Sequence, residues 1–353
     1  MNPAPQLCER FAGLLLGTAA GDALGLPAEG LSRDRIGRKW QGPWRHRFLF
    51  GRGMCSDDTE HTIFVAQALL SHPENPAAFQ LCLAWKLRLW LLGVPAGVGL
   101  ATLRAIFKLW VGFPPRRSGV FSAGNGPAMR SAMIGAFFAD DPAKRREFVA
   151  AATRITHTDP KAQTAAMAVA EAAAWGTRGS EPVEKLLQQL PLLGQDHEWQ
   201  TLCRRLTEAL AQGAPVASFA ESLGLRNGVS GYAYHTVPVA LYAWLRHPTD
   251  FSAALEAALN CGGDTDTVGA IVGALAGASC GDQGIPSDWL TSIAEWPRSC
   301  TLMRRVAGRL AAQQTASQPL GPLRYFWPGL IPRNLLFLAA VLVHGFRRLA
   351  PPY

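Results

Sequence analysis

Runs of β-branched residues are scarce in this chain, and no two apolar stretches are joined by hairpin turn chemistry, so a sheet is not expected to organise the fold. Cys-X-X-Cys is absent. The seven cysteines (Cys8, Cys55, Cys82, Cys203, Cys261, Cys280 and Cys300) are odd in number and scattered, and a reduced, cytoplasmic protein explains them best. No uninterrupted apolar run is long enough to cross a bilayer, so no transmembrane segment is expected. The best candidate, Leu335–Val343, is short and flanked by Arg333 and by Arg347 and Arg348; it reads as a helix packed on the domain, with an interfacial anchor as the alternative. The N-terminal stretch FAGLLLGTAAGDA has only Arg10 before it, beside Glu9, and its apolar pattern continues past Asp22 in helical register, so a signal peptide is not expected. No period of solenoid length recurs.

What is present points to helix. Of 353 residues, 48% are hydrophobic and 17% charged, a globular composition dominated by Ala, Leu and Gly. Helical periodicity covers roughly 11–26, 59–71, 79–92, 98–110, 127–139, 145–155, 160–175, 198–212, 236–245, 251–260, 267–280, 288–295 and 300–313. Pro73, Pro76, Pro114, Pro115, Asp159-Pro160, Asn227-Gly228 and Pro248 separate these segments. The expectation is an all-α chain with one large helical domain over 1–322, ending in a polar linker (AAQQTASQPLGP), and a short apolar and basic segment, 323–353. The net charge of +8 suits an acidic ligand or partner without identifying one.

Gly13, Gly17, Gly21 and Gly25 are spaced by four, and so are Gly269, Gly273, Gly277 and Gly281. On a helix each set forms one stripe, at about 1 kcal/mol per glycine against alanine. Close approach of helix backbones is the compensating reason, which places both helices in the centre, against each other.

The second stripe opens with Cys261-Gly-Gly-Asp-Thr-Asp-Thr267. Helix capping needs one oxygen-bearing residue. Two acids and two hydroxyls exceed that need and would repel without a cation. Ser56-Asp57-Asp58-Thr59-Glu60 repeats the pattern at the mouth of another helix. Oxygen-only ligands suit Mg²⁺, Mn²⁺ or Ca²⁺ rather than zinc, and two such clusters suggest a shared two-metal site. Cys55 and Cys261 read as small buried neighbours, and His61 as a structural histidine. Glu29 closes the first glycine helix and becomes a candidate acid or base if that helix abuts the acidic one. Ser122-Ala-Gly-Asn-Gly-Pro-Ala-Met-Arg130 is a glycine-rich loop entering a helix, whose backbone N–H groups could hold a phosphate or diphosphate. His157, in THTDP, opens another helix.

These five motifs in order, GLLLGTAAGDALGLPAE, SDDT, SAGNGPAMR, THTDP and GGDTDTVGAIVGALAG, give a chain that resembles the ADP-ribosylglycohydrolase family over roughly residues 10–282. The family includes the dinitrogenase-reductase-activating glycohydrolases. The resemblance implies an all-α orthogonal bundle with two Mg²⁺ ions, Mn²⁺ being a possible substitute. It implies that Ser56, Asp57, Asp58, Asp264, Asp266 and Thr267 hold the metals. ADP-ribose would place its distal ribose on them and its diphosphate on Ser122, Ala123, Gly124, Asn125 and Gly126, with His157 close by. Glu29 would act at the anomeric carbon, releasing ADP-ribose from a protein, nucleic-acid or small-molecule acceptor. Two departures stand out. SDDT replaces the usual TDDT but keeps the hydroxyl. Pro95-Ala-Gly-Val-Gly99 lacks the acid of the Asp-Ile-Gly segment found in arginine-directed members, which weakens the expectation of an arginine acceptor. The basic stretch between Glu29 and Asp57, with Trp40 and Trp44, could rim the site and draw an acidic target or nucleic acid; a solvated loop is the alternative. Two other functions stay open: a non-catalytic ADP-ribose or nucleotide-binding module, and a two-metal hydrolase of another phosphorylated substrate.

Overall fold

The two glycine stripes meet. Helices α1 (Pro3–Gly25) and α15 (Thr265–Cys280) run antiparallel, with Gly13 against Gly277, Gly17 against Gly273, Gly21 against Gly269 and Gly25 against Thr265. A Cβ on Gly17 would lie 2.1 Å from the Gly273 carbonyl oxygen, and one on Gly273 would lie 2.0 Å from that of Gly17. The two backbones therefore touch. Such proximity is open only to glycine, and it explains why two helices that sacrifice propensity form the centre of the molecule.

This computed structural model describes residues 3–179 and 181–347. Around the central pair the chain adds α2 (Arg33–Lys39), α3 (Asp57–Ser71), α4 (Pro76–Leu92), α5 (Leu100–Trp110), α6 (Pro115–Ser118) and α7 (Ala132–Phe137). There follow α8 (Pro142–Arg154), α9 (Pro160–Arg178), α10 (Val183–Gln189), α11 (His197–Ala211), α12 (Val216–Ser222) and α13 (Ala233–Arg246). Then come α14 (Phe251–Leu259), the central α15, α16 (Ser287–Thr291), α17 (Cys300–Gln313) and α18 (Leu330–Arg347). Asn75, Asp141, Asp159, Asp196, Asp250 and Ser299 each cap the helix that follows by accepting backbone N–H groups. The fold is all-α, as composition implied. Its extended pairing among the described residues is one two-residue ladder, β1 (Leu31–Ser32) against β2 (Gly262–Gly263), and a few isolated bridges.

Helices α2, α10 and α12 lie in stretches without a legible period; each is seven residues long, too short for one to register. The C-terminal expectation needs correction. α18 spans Leu330–Arg347, twice the length of the run Leu335–Val343, because Arg333 and Asn334 are buried within it rather than ending it. With the preceding turn it gives Trp327–Arg347, which is long and apolar enough to cross a membrane by length and composition, with 33% buried. Gln6–Ala28 passes the same test but is buried throughout, as befits a core helix. Residues 348–353, at the end of the 323–353 segment, lie outside the described residues.

Gly17→Ala should lower unfolding free energy by at least about 2 kcal/mol, read as a fall in the denaturant midpoint. Gly37→Ala in α2, whose Cβ would meet nothing within 4 Å, should be neutral or stabilise by about 1 kcal/mol. Equal effects of the two would contradict the backbone contact.

Candidate active site

Asp264 occupies the N-cap position of α15, yet its carboxylate makes no cap hydrogen bond. Instead Oδ2 accepts from Asn125 Nδ2 at 2.6 Å, which ties it to the glycine-rich loop. At the head of α3, Ser56 does cap, accepting the Asp58 N–H at 3.3 Å. Asp58 Oδ2 accepts from Ser56 Oγ at 3.1 Å and, across the molecule, from Thr267 Oγ1 at 3.3 Å. The two acidic turns thus converge. Capping accounts for one oxygen; the remaining acids point elsewhere.

α1 holds both turns. The carboxylate of Asp22 accepts from the Ser56 N–H (2.9 Å), the Thr59 N–H (3.2 Å) and the Thr59 hydroxyl (2.5 Å). One turn further, the Gly25 carbonyl accepts from Thr265 Oγ1 at 2.8 Å. The Gly30 N–H donates to the Gly263 carbonyl at 2.7 Å and fixes Glu29 beside the same turn.

A cavity of about 570 Å³ opens here, lined by Glu29, Asp57, Asp264, Asp266 and Thr267. Ser122, Gly124, Asn125, Gly126 and His157 also line it, with Gly97, Gly99, Leu100 and Thr102 at its rim. Ser56 and Asp58 sit buried behind this wall. Removal from water, then the charges of Asp22 and Glu60, pushes the Asp57 carboxyl up to about 8. Burial, then neighbouring carboxylates, raises Asp58 and Asp266 well above the usual range. Burial likewise lifts Asp22 to about 6, against the hydrogen bonds it accepts.

Asp58 Oδ1 and Asp266 Oδ1 are buried without a hydrogen-bond partner among the described residues. Orphaned, mutually repelling carboxylate oxygens are what hard divalent cations satisfy, so the donor chemistry fits Mg²⁺ or Mn²⁺. Among the described residues no three His, Cys, Asp or Glu side chains draw into one compact ligand cluster. Hydroxyls of Ser56 and Thr267, and water, would have to complete the coordination.

The glycine loop differs in detail from expectation. Its Gly124 N–H is taken by Ser122 Oγ at 3.3 Å and its Asn125 N–H by the Gly231 carbonyl at 3.0 Å, so these amides are engaged internally. Ala123 does not line the cavity; its carbonyl accepts the Ala233 N–H. The glycines serve another purpose. A Cβ on Gly124 or Gly126 would stand 3.1 Å from the His157 ring, so only a bare backbone lets the imidazole lie beneath the loop. Burial, then the charge of Arg130, brings His157 down to about 3 and keeps it neutral. Arg130 is itself fully buried, donating to Thr156 Oγ1 at 2.5 Å; burial lowers it to about 10 against the opposing pull of Asp57, so it stays cationic at neutral pH.

Glu60 leaves the acidic cluster: it pairs with Arg298 and accepts from Trp90 Nε1 at 2.5 Å. His61 is buried, edge-on to Trp90, and off the cavity. The basic stretch 33–52 does not rim the site; Arg45, Arg47 and Phe48 line a separate groove against α18. Sequence reading missed Asp22 and Arg130, and the clamp of Asp22 on Thr59. An isolated acid inside a wholly apolar glycine helix was the available signal for Asp22, since such a carboxylate must find donors.

A family model for ADP-ribosylglycohydrolases matches residues 3–319. The chain belongs to the ADP-ribosylglycohydrolase family. An uncharacterized protein of Archaeoglobus fulgidus is 33% identical over 299 residues, 81% of this chain and 92% of its own length. The ADP-ribosyl-[dinitrogen reductase] glycohydrolase of Rhodospirillum rubrum is 27% identical, covering 82% of this chain and 92% of its own. The ADP-ribosylhydrolase ARH3 of Gallus gallus is 27% identical, covering 79% and 88%. A solved structure, an ADP-ribosylglycohydrolase-related protein complex, superposes with a TM-score of 0.65 at 27% identity, over 88% of this chain and 100% of that one. Family and relatives together indicate an ADP-ribosyl hydrolase.

Asp22→Asn turns an amide N–H towards the Ser56 and Thr59 donors. It should cost about 1–3 kcal/mol of stability, measured by denaturant unfolding; no change would contradict the anchoring role of α1. A second expectation concerns acid. His157 and His46, both held below their ordinary range by burial, take up protons on unfolding, where histidine titrates near about 6.5. Their contribution to stability is therefore full above that pH and is lost as pH falls from there towards about 3, whereas Asp22, Asp57, Asp58 and Asp266, raised by burial, contribute in the opposite sense. Between pH 6.5 and 5, His157 alone should cost roughly 2 kcal/mol, read as the difference in the pH dependence of thermal unfolding between the wild type and His157→Gln.

Proposed function

We propose that this protein is a Mg²⁺-dependent hydrolase that removes ADP-ribose from a modified acceptor, reversing ADP-ribosylation. One observation carries the reading: Glu29, Asp57, Asp264 and Asp266 line the same cavity as the glycine loop and His157. Carboxylates for sugar chemistry and a cradle for a diphosphate thereby share one space. The free thiols, with Cys55 and Cys261 pushed up by burial, support a reducing, cytoplasmic setting.

Ser56, Asp57, Asp58, Asp264, Asp266 and Thr267 would hold two Mg²⁺ ions, or Mn²⁺ in their place. When bound, these would orient the distal ribose hydroxyls and stabilise charge that develops on them. The other groups act through their own chemistry. Glu29, exposed at the cavity mouth, takes a proton from the water that attacks the anomeric carbon. As the new C–O bond forms, the bond from that carbon to the acceptor nitrogen or oxygen breaks, and the acceptor leaves with the proton that Glu29 took from the water, which restores the Glu29 carboxylate. Neutral His157 and the cavity-lining loop residues Ser122, Gly124 and Gly126 position the diphosphate, while Asn125 keeps Asp264 in place. Gly97, Gly99 and Leu100 give the rim no carboxylate for a guanidinium, so arginine is the acceptor this site supports least.

The purified protein with Mg²⁺ is given ADP-ribosylated arginine, serine and nucleic acid, and free ADP-ribose is measured. Release is expected, slowest from arginine. It should fall by about 10²-fold or more in Glu29→Gln and be lost in Asp266→Ala and in chelator, with a lowered melting temperature in chelator. Tight ADP-ribose binding without release would make the site a binding module. Phosphate release from simple esters would make it a hydrolase of another class.

A further inference from the structure

α18 lies beyond the region shared with the family, which ends at residue 319. It is bolted flat along the domain. Arg333 pairs with Glu295 and donates to the Cys55 carbonyl. Asn334 donates to the Gly93 carbonyl at 2.7 Å, and His344 Nε2 contacts the Phe48 carbonyl at 2.8 Å. The opposite side is apolar and open to solvent: Ile331, Leu335, Leu336, Leu342, Val343 and Phe346 are each about half exposed or more.

This face does not end at the helix. The turn Leu49–Arg52 lies against it and carries Phe50 at its tip, wholly exposed. On the other side the loop after α4 holds Val94, also exposed, and Ala96, which packs on Phe48 and Phe337. Phe50 (φ 49°) and Val94 (φ 54°) are the non-glycine residues with left-handed backbone among the described residues. Strained positions that glycine or asparagine would ordinarily take are thus used to project apolar side chains into solvent. α4 extends the surface with a helical stripe, Leu81, Trp85, Leu89 and Leu92, and α5 with Phe107 and Trp110.

Charge around this surface is predominantly positive. No Asp or Glu occurs in residues 75–139 or 296–353, the stretches that supply α4, α5 and α18. Exposed Arg104, Arg116, Arg117, Arg324 and Arg347 stand in them. Between α18 and the turn lies a groove of about 850 Å³ with Phe48, Leu336 and Val343 on its walls and Arg45, Arg47 and Arg347 on its lining; Asp288 is the acid it contains.

We propose that this face docks the protein on an anionic lipid bilayer, with α18 lying in the plane of the interface and the groove receiving a lipid headgroup and the top of its acyl chain. An apolar helix face, an aromatic at a turn tip and a groove in which three arginines face one acid match the two components of such a surface, hydrocarbon below and negative headgroups above. A second copy of the chain would present the same cationic face and be repelled. The bolts formed by Arg333 and Asn334 hold α18 along the domain, which excludes a spanning orientation.

The full-length protein is sedimented with phosphatidylcholine vesicles, with and without phosphatidylglycerol. Partition should be roughly tenfold or more stronger to the anionic vesicles and should weaken as salt rises. Leu335→Glu and Arg347→Glu should each lose most of it while leaving the melting temperature and ADP-ribose binding unchanged. Equal or negligible partition to both vesicle types overturns the proposal. So does a dimer that Leu335→Glu dissociates without any vesicle binding. Retention through alkaline carbonate, insensitive to Arg347→Glu, would mean a spanning helix and would overturn in-plane docking.

Discussion

Backbone contact between α1 and α15 is the constraint on which the remainder of this molecule depends. Each helix omits side chains along one stripe so that carbonyl oxygens of one meet Cα atoms of the other. The gain is positional. α1 carries Asp22 and Gly25 on its last turns, and α15 begins with Thr265, Asp266 and Thr267. Any side chain larger than hydrogen at Gly21 or Gly25 would push these ends apart, and the acidic turns would no longer share a cavity. Packing at the core thus sets the register of the chemistry.

The site built on this frame concentrates unneutralised charge. Asp58 and Asp266 are kept out of water, with half-buried Asp57 beside them on the cavity wall, at a cost that protonation would relieve. A fold that only needed stability would replace them. With the partnerless oxygens of Asp58 and Asp266, they are the groups on which the proposed metal reading rests. Arg130 and His157 show the complementary arrangement: burial, reinforced by the charge of Arg130, holds the imidazole neutral, and a neutral imidazole can lie under the bare backbone of Gly124 and Gly126.

The surface divides into a part that serves this cavity and a part that does not. Trp90, Ile106 and Leu109 from the apolar 90–113 stretch enter the core, whereas Val94, Phe107 and Trp110 face solvent. Arg45 and Arg47, which the sequence offered as a rim for the site, turn to the groove beside α18. Hydrophobicity and charge were legible in the sequence at all these positions, but not which of them faced inward, since that depends on how α4, α5 and α18 are laid on the domain.

The sequence by itself determined the helical class, the central glycine stripes and the two acidic turns. Each is a short-range pattern: spacing by four follows from helix geometry, and four oxygen-bearing residues in succession exceed what a cap can use. It could not reveal Asp22 as the clamp on Ser56 and Thr59, the diversion of Glu60 to Arg298, the loss of Ala123 from the cavity or the full reach of α18. Those were decided by tertiary structure. Each rests on a partner tens to hundreds of positions away in the chain, and a polar group's role is fixed by the donor or acceptor that burial brings to it rather than by its neighbours in sequence.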